Sequence, residues 1–187
     1  MLEGLDKTGK STQATALRAA LDPERTLHVH MPSGLSMFTR QTYAMLEVES
    51  QAPRSALGTQ LAHLACHAES VPLILEALKS TAVVLDRWWW STFAYGWYNG
   101  KLPDEGITEL ALTNLVGSIW GRVSADVVFL FDRPYVLDAN NSDPIYDGYQ
   151  ELAGQHAAIT SRVPNGDPNH VTAHLIAELK RRGLLVD

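Results

Sequence analysis

Apolar residues in this chain fall into short continuous runs separated by stretches with helical spacing. Val127-Val128-Phe129-Leu130-Phe131 is apolar throughout, and Ala82-Val83-Val84-Leu85 is a shorter run ending on Asp86. Runs of this kind read as strands buried on both faces, as in parallel sheets. Thr26-Leu27-His28-Val29-His30 alternates instead, and Pro32-Ser33-Gly34 ends it. A last strand is expected within Ala157 to Val163. Between the strands lie helical patterns. Residues 36–48 offer Phe38, Tyr43 and Leu46 to one face. Residues 55–80 carry Leu57, Leu61, Leu64, Val71, Leu75 and Leu78, with Pro72 as an expected kink. Ile107, Leu110, Leu115 and Ile119 mark a helix over 107–120, and a further helix is expected from Ile145 to Ala153. Asp167-Pro168 caps and opens a final helix reaching about Lys180.

Strands alternating with helices predict an α/β fold, a mostly parallel sheet with helices on both faces. Such sheets bind ligands at the carboxyl ends of their strands. Residues 4–11, 30–34, 86–90 and 132–135 each follow a predicted strand, so the candidate chemistry converges on one edge.

The first of these segments reads Gly4-Leu5-Asp6-Lys7-Thr8-Gly9-Lys10-Ser11 and fits the phosphate-binding pattern G-x-x-x-x-G-K-[ST]. Backbone N–H groups from Gly4 through Thr12 can turn inward around phosphate oxygens. Lys10 can reach the β- and γ-phosphates, and the Ser11 hydroxyl can ligate Mg²⁺. The helix that follows adds the positive end of its dipole. The expected fold is therefore a three-layer P-loop NTPase domain. Such loops follow a buried strand, yet only Met1, Leu2 and Glu3 precede Gly4. Either that strand is very short or the native start lies upstream.

Composition narrows the class without naming a substrate. At 187 residues with 45% hydrophobic and 19% charged content, the chain reads as one globular domain, 1–187. A net charge of −6 argues against coating nucleic acid electrostatically. The single cysteine, Cys66, excludes an internal disulfide and suits a reducing cytoplasm. No run of 18 apolar residues marks a membrane span. His63 and His67 are four residues apart, as a metal-binding pair can be, but no third ligand of suitable spacing accompanies them. Arg133 can reach a bound nucleotide or form a surface ion pair, and Lys180-Arg181-Arg182 reads as a basic helix end.

The second constellation is Asp86-Arg87-Trp88-Trp89-Trp90-Ser91-Thr92-Phe93-Ala94-Tyr95. Asp86 can hold Mg²⁺ or its water shell, and Arg87 can meet a phosphoryl oxygen. With the P-loop it resembles the Asp-Arg-aromatic-x-x-Ser-x-x-Ala-Tyr signature of the thymidylate kinase family. Glu3-Gly4-Leu5-Asp6, Ser11-Thr12-Gln13 and Tyr149-Gln150-Glu151-Leu152-Ala153 extend the resemblance over most of the chain. The resemblance implies ATP as donor, Mg²⁺ and a pyrimidine deoxynucleotide acceptor, free or within DNA. It also implies a homodimer. By resemblance, Asp6 faces the acceptor nucleoside and Arg87 contacts the transferred or acceptor phosphoryl group. Lys7 is similar in position to a basic loop residue that some members use to stabilise the transition state. Those members need no lid arginine, and the expected lid here, about 138–149, has neither Lys nor Arg.

Departures from the family pattern bear on the acceptor. The Glu-Pro-Gly-Gly or Phe-Pro-x-Arg loop becomes His30-Met31-Pro32-Ser33-Gly34, with Arg40 as the next arginine. The Asp-Arg-Ala segment that contacts the thymine base becomes Cys66-His67-Ala68, where His67 reads as a base ligand or a packing residue. The family's Ala-Tyr-Gln is Ala94-Tyr95-Gly96. A monophosphate acceptor needs cations, whereas an alcohol benefits from a carboxylate base such as Asp6. Few acceptor-side arginines therefore favour a hydroxyl acceptor. The lead expectation is the phage branch that phosphorylates 5-hydroxymethyluracil in DNA, with Trp88, Trp89 and Trp90 stacking on an extruded base. The alternative is a dTMP or related nucleotide kinase, and the third reading is a nucleotide-binding module. For the Trp triplet, the competing expectation is that at least two rings pack in the core.

Overall fold

The computed structural model describes residues 1–136 and 138–185. Five strands form one sheet: β1 (Leu2–Gly4), β2 (Thr26–His30), β3 (Ala82–Asp86), β4 (Val128–Phe131) and β5 (Thr160–Arg162). Their order is β2-β3-β1-β4-β5, and every neighbouring pair is parallel. The expected parallel α/β architecture is what the chain adopts. The strand before the P-loop is β1, which spans three described residues. Its three residues sit in the centre of the sheet, with Leu2 opposite Asp86 of β3 and Gly4 opposite Phe131 of β4.

Side chains alternate across the sheet as the pleat requires. Leu2, Phe129, Phe131 and Val163 face one side, where α1 (Lys10–Ala20) and α8 (Pro168–Arg181) cover them with Leu17, Val171 and Leu175. Val29, Leu85, Val128 and Leu130 face the other side, in a larger core closed by α3 (Ala56–Ala77), α6 (Glu109–Trp120) and α7 (Asp143–Gln155). Glu3, by the same alternation, sits opposite Leu2 and is completely buried.

Helix boundaries follow capping chemistry. α2 (Met37–Leu46) starts where Ser36 accepts from the Thr39 amide at 3.2 Å while the Ser36 amide donates back to the Thr39 hydroxyl. Ser55 caps α3 by accepting from Gly58, and Thr108 caps α6 by accepting from Ala111. Asp167 caps α8 as expected, through the Asn169 amide at 2.9 Å. α3 ends at Ala77 instead of residue 80, because the Thr81 amide and hydroxyl both take the Ala77 carbonyl and turn the chain into β3.

Residues 89–104 form α4 (Trp89–Thr92), a π-helical turn over Phe93–Tyr98, and α5 (Lys101–Asp104). Trp88 and Trp90 are buried, and Trp88 meets Trp120 edge-on at 6.4 Å. The packing expectation for the triplet therefore describes these two rings. The base-stacking expectation does not. Much of the expected lid is also helical: α7 begins at Asp143, and Ile145, Gly148 and Tyr149 are buried beneath it.

Gly4 ends β1 at φ 132°, and a Cβ there would lie 2.0 Å from the Phe131 carbonyl oxygen. Gly4→Ala is expected to destabilise the fold by at least about 2 kcal/mol. Chemical denaturation should show a lower midpoint.

Candidate active site

The P-loop leaves β1 and closes onto α1 through two left-handed residues, Lys7 (φ 58°) and Gly9 (φ 87°). Gly9 precedes α1 with no side-chain cap. Among the described residues, the amides of Lys10, Ser11 and Thr12 donate to no protein acceptor. They are the free donors that a helix start presents to an anion. Lys10 is 6% exposed, its ammonium donating to the Gly4 carbonyl at 3.0 Å and to the Leu5 carbonyl. Burial, with Arg87 acting in the same direction, depresses its pKa to about 7 against the pull of Asp6, Asp86 and Glu3. The loop is braced by the Thr8 hydroxyl on the Leu5 carbonyl and by Asn141. The Asn141 side chain accepts from the Asp6 amide at 2.8 Å and donates to the Asp6 carbonyl at 2.7 Å.

The end of β3 delivers Asp86 and Arg87 to this loop. Arg87 holds φ 72° and donates to the Asp6 carboxylate through Nη2 and to the Ser91 hydroxyl through Nη1 at 3.1 Å. Its guanidinium lies 5.4 Å from the Tyr95 ring centroid. Lys10, Asp6 and Arg87, predicted from separate motifs, are thus brought to one place. Asp86 is buried and pairs with His30 Nδ1 at 3.1 Å. Burial works to raise its carboxyl, yet His30, Arg87 and Lys10 together hold it below the ordinary range. Ser11 is exposed on the first turn of α1, and Lys7 is exposed beside it. The Ser11 hydroxyl and Asp86 carboxylate are hard oxygen donors of the kind Mg²⁺ takes. Among the described residues no group of three His, Cys, Asp or Glu could hold a metal alone. A cation there therefore needs phosphate and water oxygens to fill its shell, which is how Mg²⁺ binds beside nucleotides.

A cleft of about 310 Å³ beside the loop is lined by Thr8, Gly9, Thr12, Arg133, Tyr135 and Gly166. Tyr135 bridges it, donating its amide to the Lys7 carbonyl at 2.9 Å and its hydroxyl to the Gly166 carbonyl at 3.0 Å. Arg133 is exposed there, while Asp132 pairs with Arg162 at 2.6 Å. On the other side, His30 meets Tyr43 edge-on at 5.8 Å. Burial, with Arg87 acting in the same direction, lowers the pKa of His63 against the pull of Glu47. His67 points elsewhere, accepting from Trp120 Nε1 at 3.2 Å deep in the core, where burial pushes its pKa down to about 3. It is a packing residue and neither a base ligand nor a metal partner for His63. Arg40 lies exposed on α2, donating to the Leu35 carbonyl at 3.3 Å.

Sequence reasoning named Glu3, His30 and Tyr135 within their segments but gave no role at the site to them, to Asn141 or to Tyr43. Glu3 carried a readable signal, a charge inside a three-residue central strand. The others depend on tertiary contacts with no motif of their own.

A model of the family described as thymidylate kinase matches residues 2–136. The thymidylate kinase of Chlorobium luteolum is 30% identical over 134 residues, covering 70% of this chain and 59% of that protein. The chain therefore spans about three fifths of that relative's length. The thymidylate kinase of Chlorobium chlorochromatii is 27% identical across 96% of this chain and 93% of that protein. Among solved structures, thymidylate kinase from Ehrlichia chaffeensis superposes with a TM-score of 0.77 at 22% identity, over 95% of this chain and 96% of that one. That likeness shows a shared fold. No described helix is long and apolar enough to cross a membrane. With a family model covering the P-loop, the Asp86-Arg87 segment and everything between them, the chain belongs to the thymidylate kinase family.

Proposed function

We propose that this protein is an ATP- and Mg²⁺-dependent kinase that phosphorylates a thymidine-like deoxynucleoside monophosphate, yielding the diphosphate and ADP. An oxygen of the acceptor phosphate attacks the γ-phosphorus in line, and the bond from that phosphorus to the β-phosphate oxygen breaks. The observation that carries this reading is the Arg87 guanidinium held against Asp6 of the P-loop itself. It sets a permanent cation beside the place where loop amides and Lys10 would hold the triphosphate. Ser11 and Asp86 would hold Mg²⁺, which when bound neutralises charge on the phosphates. Gly4, Leu5, Asp6, Lys7, Thr8, Gly9, Lys10, Ser11 and Thr12 would wrap the triphosphate. The cleft under Tyr135 would take the purine. Lys7, exposed at φ 58°, would swing over the transferred group.

A monophosphate acceptor fits better than a base hydroxyl in DNA. The Asp6 carboxylate is engaged by Arg87 and is not presented bare to an alcohol. Two of the three tryptophans expected to stack on an extruded base are buried. The net charge of −6 disfavours a DNA partner, and the curated relatives carry the name of the monophosphate kinase. A second copy of the chain would cover the exposed apolar residues Met37, Phe38 and Met45 of α2 and Leu61 of α3. The lone buried thiol of Cys66 suits action in the cytoplasm.

Radiolabelled ATP offered with free dTMP, and separately with DNA containing 5-hydroxymethyluracil, is expected to label the mononucleotide alone. Label confined to DNA would overturn the acceptor, and no transfer to either would overturn the kinase reading. Lys10→Met is expected to lower transfer roughly 10²–10³-fold with the unfolding midpoint little changed. The same substitution should alter the pH profile of stability. Lys10 titrates near 10.5 in the unfolded chain and near 7 in the fold, so between these values the unfolded chain binds more protons. Stability from Lys10 therefore rises with pH across this window, and the parent should gain more than Lys10→Met between pH 7 and 10 in denaturant titrations. Sedimentation is expected to give twice the mass of one chain.

A further inference from the structure

We propose that Glu3 is a positioning residue that holds Arg87 in its phosphoryl-facing pose, acting through the hydroxyl of Ser91. The inference rests on the reading of Arg87 given above. Glu3 is completely buried at a strand position whose neighbours in the same layer are apolar. A carboxylate in such a place costs several kcal/mol unless its oxygens are filled. Glu3 has four bonds. Oε1 accepts from the Trp88 amide at 2.7 Å and the Ser91 amide at 3.2 Å. Oε2 accepts from the Ser91 hydroxyl at 2.7 Å and the Tyr149 hydroxyl at 3.2 Å.

Every one of these partners adjoins Arg87. Trp88 is the residue before α4 and has no side-chain cap of its own. One oxygen of Glu3, arriving from another strand, takes the amides of the cap residue and of the residue three further on. A local capping pair would satisfy the same two donors. Arg87 immediately precedes this corner in the left-handed region, φ 72°, where a non-glycine residue persists only if its surroundings hold it. The second oxygen sets polarity. A carboxylate can only accept, so the Ser91 hydrogen is drawn to Glu3 and the Oγ lone pairs are left for Arg87 Nη1 at 3.1 Å. With Nη1 fixed there and Nη2 on Asp6, the guanidinium is oriented from both ends.

Glu3→Gln keeps the size of the side chain but places N–H donors where hydroxyl donors point, so the Ser91 polarity is lost. Ser91→Ala removes only the relay and leaves both amide bonds to Glu3 possible. The test measures kcat and KM for dTMP phosphorylation in Glu3→Gln, Ser91→Ala, Arg87→Ala, and the Ser91→Ala/Arg87→Ala and Glu3→Gln/Arg87→Ala pairs, with unfolding midpoints alongside. Glu3→Gln and Ser91→Ala are each expected to lower kcat about tenfold or more, with KM for ATP unchanged. In the Arg87→Ala background neither should lower it further. A purely structural Glu3 would cost the same factor with or without Arg87, and that result would overturn the proposal. Full activity in Ser91→Ala would overturn it equally, and this variant stands if Glu3→Gln fails to fold. Full activity in Arg87→Ala would overturn it by a different route, removing the role of Arg87 itself.

Discussion

Asp6 and Arg87 stand 81 residues apart in the chain and meet as a partly buried ion pair at the carboxyl edge of the sheet. Their contact joins loops that otherwise leave different strands independently. From Arg87 the bonding continues through Ser91 to Glu3, inside the central strand. From the backbone of Asp6 it continues to Asn141, in the segment after β4. The segments after β1, β3 and β4 are therefore held in one arrangement. Breaking a pair of this kind leaves an uncompensated charge, so the penalty falls on the whole edge and not on one contact.

The edge concentrates what the rest of the fold avoids. Glu3, Lys10 and Asp86 are three of the buried charged residues of the fold, and all three lie at this edge. Their signs are interleaved: Lys10 feels Asp6, Asp86 and Glu3, while Asp86 is held by His30, Arg87 and Lys10. The two non-glycine residues with positive φ among those described, Lys7 and Arg87, are here as well. Strain of about 1–3 kcal/mol per residue and desolvated charge are features a site can carry when a stiff sheet supports it. The support is the parallel ladder of β1 with β3 and β4, which gives the three loops a common base.

The sheet and most helices were legible because each carries one dominant period. Val127–Phe131 and Ala82–Leu85 had no polar interruption, and Thr26–His30 was recovered to the residue. The P-loop was legible because it fits a spaced local pattern, and Asp86-Arg87 because it ends a continuous apolar strand. What was not legible had no local cause. Residues 93–98 wind as a π-helix, where a Cβ on Gly96 would lie 2.6 Å from the Gln60 side chain, a neighbour 36 residues away that no short window contains. His67, in place of the arginine of the family's Asp-Arg-Ala segment, read as either a base ligand or a packing residue. The depth of α3 in the core assigns it to Trp120. The His30–Tyr43 contact joins two separate elements and has no signature to read.

The π-helical turn has a consequence for how this segment can change over evolutionary time. Its wider winding absorbs one residue more than an α-helix would between α4 and α5, and Tyr95 within it reaches the Arg87 guanidinium. Deleting a single residue would restore ordinary winding and leave the elements downstream in register, whereas the same deletion in an α-helix would rotate them by roughly 100°. The length of this stretch is therefore adjustable by one residue, whereas Tyr95 and the buried Phe93, Ala94 and Gly96 are constrained in kind by what they touch. A one-residue gap between related chains is accordingly expected within residues 93–98 before it is expected in the regular helices.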